Sequence, residues 1–239
     1  MSVVSHKARL VYVVVPKAAC TSVKTMLYDL DVGGDRRPKQ SLRERLLGRP
    51  APEPTSIHQI DGYMTRPFTS AGVPEGFARF AVLRDPLSRL HSAWSNKTGS
   101  EPFGRRGETG AILAAGLPVD PTFGEFLEGY ERYRALSVPA AVHTRPLRWH
   151  LGDDLGWYDR LFRLEAIADL EPWVSERAGV PVRLARENRG AHGGRPLGLE
   201  SRHIDLAGRI LADDYALLAG LYDFESGLVD FHRRHALVV

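Results

Sequence analysis

The stretch that decides the fold is Arg9-Leu-Val-Tyr-Val-Val-Val15, followed at once by Pro16-Lys-Ala-Ala-Cys-Thr-Ser22. The first half is a continuous apolar, β-branched run, which is typical of a strand buried in a parallel sheet. The second half is a tight loop, after which the apolar residues between Val23 and Leu30 recur at helical spacing. Strand, loop and helix in this order open a βαβ unit, so the sequence predicts an α/β protein.

A second unit with the same plan follows later in the chain. The apolar run from Phe77 to Leu83 predicts another buried strand. Asp85 and Pro86 then have the residue types of an N-cap and of the first position of a helix. Asp85 also lies four residues before Arg89, a spacing that favours an ion pair along the helix.

Weaker patterns complete the expected architecture. Thr122 and Glu125 have the spacing of a capping box, which predicts a helix that runs through Tyr133. The other expected elements are a short helix near 42–47, a glycine-rich loop over 99–120, a strand over 160–164, and helices over 166–178 and 204–222. No internal repeat or domain boundary interrupts them, so we expect one domain over residues 1–239, with a central parallel sheet flanked by helices.

The composition excludes several classes of partner. A net charge of +3 is too small to indicate binding to nucleic acid. Cys20 is the single cysteine, so no intramolecular disulfide can form and a reducing compartment is expected. The apolar run that ends at Pro16 is too short to span a membrane. We therefore expect a cytoplasmic protein with no nucleic-acid or membrane partner.

Both units place polar groups where a strand ends and a helix begins. In open α/β sheets this edge binds ligands, and the N–H groups of a helix N-terminus favour an anion there. In the first unit Lys17, Thr21, Ser22 and Lys24 surround such a terminus, which suits a phosphate or a sulfate. The chain has no Gly-Lys dipeptide and therefore no Walker A loop.

The two units resemble the cofactor motifs of one enzyme family. Val15-Pro-Lys-Ala-Ala-Cys-Thr-Ser-Val-Lys24 is similar to the 5′-phosphosulfate-binding loop of the Golgi carbohydrate sulfotransferases and their bacterial relatives, sulfotransferase family 2. Phe80-Ala-Val-Leu-Arg-Asp-Pro-Leu-Ser-Arg-Leu-His-Ser-Ala-Trp94 resembles the 3′-phosphate motif of that family. Residues 142–148, where Leu147 stands in the place of the usual Gln, and 207–224 resemble the family more distantly.

The resemblance implies a P-loop-like sulfotransferase fold, with 3′-phosphoadenosine 5′-phosphosulfate (PAPS) as donor and 3′-phosphoadenosine 5′-phosphate (PAP) as product. It implies that Arg84 and Ser92 grip the 3′-phosphate and that Lys17 stabilises the leaving group. Arg189, in the basic segment 183–195, would close over the nucleotide; a solvated loop is the alternative. The residues implied at the 5′ end are Pro16, Lys17, Ala18, Ala19, Cys20, Thr21, Ser22 and Lys24.

The general base is expected between the two motifs, where related enzymes often place it. His58 is the first candidate, because an ordinary imidazole titrates near neutral pH. Asp61 and Glu165 are the alternatives. No metal is expected, since the chain has neither an HExxH motif nor paired cysteine ligands.

The expected reaction is sulfuryl transfer from PAPS to a hydroxyl of a carbohydrate or glycoconjugate. A small hydroxylated metabolite is the alternative acceptor. A nucleotide kinase would require the Walker motif that the chain lacks. A non-catalytic module that binds a nucleotide or a sulfated glycan is a third hypothesis, and the sequence leaves the oligomeric state open.

Overall fold

The computed structural model of the chain describes residues 2–33, 47, 56–99, 108–185 and 197–235. The helix expected near 42–47 falls, apart from residue 47, outside these residues, and so does Arg189. The contacts divide the chain into two compact units, each built from three segments. Unit 1 takes Met1–Val15, Ala19–Val82 and Gly156–Asn188, and unit 2 takes Pro16–Ala18, Leu83–Leu155 and Arg189–Val239.

The regular elements of the described residues are as follows. The strands are β1 (Val3–Ser5), β2 (Leu10–Val13), β3 (Ala78–Leu83) and β4 (Arg160–Arg163). The helices are α1 (Cys20–Asp31), α2 (Pro86–Gly99), α3 (Glu108–Ala114), α4 (Phe123–Glu128), α5 (Tyr130–Leu136), α6 (Val138–His143), α7 (Leu147–Leu151), α8 (Leu170–Ala178), α9 (Ser201–Leu217) and α10 (Phe224–His235). Short 3₁₀ turns occupy Ile57–Gln59, Leu155–Trp157 and Leu164–Asp169.

The described strands form one sheet in the order β1-β2-β3-β4. β2 and β3 pair in parallel, with Leu10 opposite Ala78, which confirms the expected α/β fold with a largely parallel central sheet. Tyr12 of β2 stacks on Phe80 of β3 with ring centroids 5.0 Å apart, and both side chains are fully buried. β1 pairs antiparallel with β2 and was not predicted, because three residues are too few to show a period.

The two strand–helix units are confirmed within one or two residues at most boundaries. α1 follows β2, and α2 follows β3. The Asp85 carboxylate accepts a hydrogen bond from the Ser88 N–H at 2.8 Å, so Asp85 is the N-cap that the sequence predicts. Trp94 of α2 is only 1% exposed and belongs to the core of unit 2.

Two stretches differ from the expectation. The predicted glycine-rich loop over 99–120 contains α3, whose Ile112 is fully buried. The helix expected from Thr122 through Tyr133 is two helices, α4 and α5, which meet at Gly129. A Cβ at Gly129 would lie 2.8 Å from the Tyr133 ring, so a glycine is needed where the second helix begins.

The C-terminal part of the described chain is helical. α9 begins at Ser201, slightly earlier than expected, and α10 follows it without having been predicted. No helix among the described residues is long and apolar enough to cross a membrane.

His150 of α7 is a buried titratable group in unit 2. Its side chain is 1% exposed, and neither ring nitrogen has a hydrogen-bond partner among the described residues. Burial, with smaller effects of Arg89, Arg145 and His143, lowers its pKa to about 3. The ring therefore stays neutral in the folded chain at a pH where it is protonated in the unfolded chain.

We predict that this histidine destabilises the fold in mild acid. Because the folded-state pKa lies below the ordinary value of about 6.5, His150 should cost about 2 kcal/mol of unfolding free energy between pH 7 and pH 5. In His150→Leu, denaturant unfolding should show a loss of unfolding free energy between pH 7 and pH 5 that is smaller by this amount. The control is His232→Gln, at a half-exposed position of α10, which should retain the full loss. A His150→Leu profile parallel to the wild-type profile would contradict the prediction.

Candidate functional site

The loop between β2 and α1 has an uncommon backbone. Lys17 and Ala19 have φ angles of 68° and 55°, in the left-handed region that non-glycine residues rarely adopt. Each such residue costs about 1–2 kcal/mol, so other interactions must hold the loop in this shape. Left-handed residues interspersed with residues of other conformation turn successive N–H groups to one side, where they form a concave site for an anion.

The N-terminus of α1 offers its N–H groups to a ligand. Ala19 is the N-cap, and no side chain in the described part of the chain caps the helix. The first turn carries no acidic residue, so nothing there neutralises the positive end of the helix dipole. The first turn of a helix leaves N–H groups without a partner inside the helix, and a phosphate or sulfate satisfies them well.

A polar cluster in unit 1 joins α1 to the segment after the loop. Thr21 Oγ1 lies 3.0 Å from His58 Nε2, and Lys24 Nζ lies 3.1 Å from His58 Nδ1. Lys24 Nζ also donates to Thr65 Oγ1 at 3.1 Å. The Lys24 side chain is fully buried, and burial lowers its pKa to about 8. The structure thus brings His58, the candidate general base, together with Thr21 and Lys24 of the predicted anion-binding loop.

Two arginines of unit 2 hold carbonyl groups of the same loop. Arg84 Nη1 donates to the Lys17 carbonyl oxygen at 3.1 Å, and Arg89 Nε donates to the Pro16 carbonyl oxygen at 3.3 Å. An anion would be repelled by these carbonyl oxygens and attracted by the loop N–H groups. By binding the carbonyls, the guanidinium groups stabilise the loop in a form that suits an anion.

Arg89 makes further bonds inside unit 2 and is 2% exposed. Its Nη2 donates to the Arg145 carbonyl oxygen at 2.7 Å, and its Nη1 lies 3.4 Å from Asp214 Oδ2. Asp214 Oδ1 in turn accepts from the Leu147 N–H at 2.7 Å. Burial lowers the pKa of Arg89 and raises that of Asp214, and each charge opposes the shift of the other.

The predicted ion pair between Asp85 and Arg89 is wrong. Asp85 lies just before the first turn of α2, where its carboxylate caps the helix and also accepts from the Tyr215 hydroxyl at 2.7 Å. Arg89 pairs instead with Asp214, 125 residues along the chain. The available signal was Asp214 itself, an acid on the apolar face of the predicted C-terminal helix, three residues after Leu211.

The other predicted site residues are either buried on their helices or form exposed ion pairs. Ser92 is buried on α2 and Ser22 on α1. Asp61 lies 3.8 Å from Arg66, and Glu165 lies 3.8 Å from Arg163, in exposed ion pairs. Thr65, which no local sequence pattern marks, joins the site only through its bond to Lys24.

The remaining loop residues line the turn itself. Pro16 and Ala18 are buried, whereas Lys17, Ala19 and Cys20 are half-buried. Among the residues that the structure describes, no group of three or more His, Cys, Asp or Glu side chains is placed to hold a metal ion.

A buried parallel strand, a loop with left-handed residues and a helix without a side-chain cap are features of the α/β class, in which such a helix N-terminus suits an anion. A family model narrows this class: the model of the sulfotransferase family matches residues 1–191. The chain belongs to the sulfotransferase family, and it is a transferase of sulfuryl groups. Comparisons with curated proteins and with solved structures gave no match.

The left-handed backbone at Ala19 leads to a stability prediction. Ala19→Gly removes a Cβ from a left-handed residue and should raise the free energy of unfolding by about 1 kcal/mol. Ala18→Gly is the matched control: Ala18 is fully buried and is not left-handed, so this variant should be less stable than wild type. Denaturant unfolding measures both, and equal destabilisation by the two changes would contradict the loop geometry.

Proposed function

We propose that this chain transfers a sulfuryl group from PAPS to a hydroxyl of a carbohydrate or glycoconjugate acceptor and releases PAP. The observation that carries the proposal is the N-terminus of α1, which has no capping side chain and no acid in its first turn. Its sequence is also the segment that resembles a 5′-phosphosulfate-binding loop. Membership of the sulfotransferase family supports the reaction class.

The donor is proposed to be held by two motifs. At the start of α1, the N–H groups with Thr21 and Ser22 bind the 5′-phosphosulfate. Arg84 and Ser92 bind the 3′-phosphate, a role that rests on their match to the family motif. Arg189 is proposed to close over the same nucleotide, because it lies in the basic segment 183–195. It lies outside the described residues. The negatively charged phosphate and sulfate groups of such a nucleotide suit a site made of N–H groups, hydroxyls and cations.

The reaction is an in-line displacement at sulfur. The acceptor oxygen forms a bond to sulfur while the bond from sulfur to the phosphate oxygen breaks, so negative charge grows on the leaving phosphate. By analogy with phosphoryl transfer, the protein acts mainly by positioning and by neutralising this charge. Lys17 is proposed to stabilise the leaving oxygens with its ammonium group. His58 is proposed to take the proton of the acceptor hydroxyl as general base.

The proposed acceptor class rests on the resemblance of the two cofactor motifs to those of the carbohydrate sulfotransferases. Acceptors are bound by loops, and the sequence predicts these at 31–70 and 99–121, of which 34–46, 48–55 and 100–107 lie outside the described residues. A small hydroxylated metabolite would meet the same chemical requirement. A screen of glycosaminoglycans, simple sugars and phenolic or steroid alcohols with radiolabelled PAPS separates the two classes.

We place the reaction in the cytoplasm, because the chain has one cysteine and thus no internal disulfide.

The mechanism predicts a specific loss in Lys17→Ala. Turnover of PAPS should fall about 10²–10³-fold, because a donor to the growing charge is removed. Affinity for PAP should change much less, because the N–H groups of the loop remain. The control is Lys7→Ala, since Lys7 Nζ binds the Leu30 carbonyl oxygen at the other end of α1. Unchanged turnover in Lys17→Ala would remove Lys17 from the mechanism.

A further inference from the structure

Lys24 is a buried cation with an unusual set of partners. Its side chain is 0% exposed, and its Nζ meets His58 Nδ1 and Thr65 Oγ1, both at 3.1 Å. Neither partner is a carboxylate, and among the described residues no carboxylate forms an ion pair with Lys24. Because the ammonium group is not exposed to solvent, its charge and its hydrogen bonds act on His58 and Thr65.

The bond to Lys24 decides which nitrogen of His58 carries a proton. An ammonium group can only donate, so Nδ1 must accept, and the single proton of a neutral imidazole must then sit on Nε2. Nε2 therefore donates to Thr21 Oγ1, 3.0 Å away. The hydroxyl hydrogen of Thr21 is not needed for that bond and can be donated to an anion at the start of α1.

We propose that Lys24 is a positioning residue that sets the tautomer of His58, and through it decides whether the Thr21–His58 pair donates a hydrogen bond or accepts a proton. With Lys24 charged, Lys24, His58 and Thr21 form a chain of donors that ends at the anion. With Lys24 neutral, its amine accepts from Nδ1–H, and the Nε2 lone pair becomes a base. The change from the first state to the second releases one proton to solvent.

The surroundings make this change accessible near physiological pH. Burial lowers the pKa of Lys24 to about 8, and Cys20 on the same helix opposes this to a smaller extent. His58 faces Lys24 from the 3₁₀ turn Ile57–Gln59. β1, which also packs against α1, has no charged side chain. The tautomer of His58 follows from the geometry of its two hydrogen bonds, whereas its catalytic meaning rests on the proposed function, in which His58 is the general base.

The test reads the ring nitrogens of His58 directly. The full chain is labelled with ¹⁵N-histidine, and the His58 signals are assigned by their loss in His58→Gln. At neutral pH we expect a protonated Nε2 and an unprotonated, hydrogen-bonded Nδ1. As the pH rises through about 8, the two nitrogens should exchange their roles. A protonated Nδ1 at neutral pH, or a ring whose tautomer stays constant up to pH 9, would overturn the proposal.

Lys24→Met isolates the lysine, because it keeps an unbranched side chain of similar length without the ammonium. In this variant the preference for the Nε2 proton should be lost, and inorganic sulfate should bind about 10-fold more weakly. Thr65→Val is the matched control: it removes the other acceptor of Lys24 and should keep the tautomer of His58. An unchanged His58 tautomer in a folded Lys24→Met protein refutes the proposal. If that variant does not fold, the wild-type titration decides alone.

These readouts involve neither nucleotide nor sulfuryl transfer. A chain that fails to bind PAP but shows the tautomer change would contradict the proposed function and leave the role of Lys24 intact. A chain that binds PAP but has a protonated Nδ1 at neutral pH would contradict the role of Lys24 and leave the proposed function intact.

Discussion

The described structure of unit 2 depends on one buried guanidinium group, that of Arg89. It binds the Pro16 carbonyl oxygen in the loop, the Arg145 carbonyl oxygen and the Asp214 carboxylate, so it joins three distant segments of the chain. A buried charge is tolerated only when it is paired and fully hydrogen-bonded. The loop, the segment before α7 and the helix α9 must therefore all be in place for any of them to be stable.

The backbone conformation of the loop after β2 depends on the same constraint. Lys17 and Ala19 are left-handed although neither is glycine, and a free loop would relax out of that conformation. The bonds from Arg84 and Arg89 to the loop carbonyls oppose such a relaxation. In unit 1 a second buried cation, Lys24, organises His58 and Thr21 in a similar way. Each unit thus contains a buried cation that fixes neighbouring polar groups. In unit 2 Arg89, paired with Asp214, binds a loop carbonyl, and in unit 1 Lys24 binds His58 and Thr65.

The sequence predicted what is local and strongly patterned. β2, β3, α1 and α2 were found because contiguous apolar runs and the Asp85–Pro86 cap mark them, and the two cofactor motifs lie on them. β1 is too short for a period, and α3 lies in a stretch, 99–120, that contains five glycines. The partner of Arg89 was assigned to the nearest acid in sequence, whereas the folded chain supplies Asp214. The meeting of Lys24 with His58 and Thr65 spans up to 41 residues, and no periodicity encodes it.

Calorimetric titration of the wild-type chain with PAP, beside adenosine 5′-phosphate and ATP–Mg²⁺, tests whether the chain binds the proposed donor nucleotide. PAP carries the two phosphates that the strand–helix units are proposed to bind, and adenosine 5′-phosphate lacks only the 3′-phosphate. We expect tight binding of PAP, much weaker binding of adenosine 5′-phosphate and no preference for ATP–Mg²⁺. Equal binding of PAP and adenosine 5′-phosphate, or a preference for ATP–Mg²⁺, would contradict this expectation.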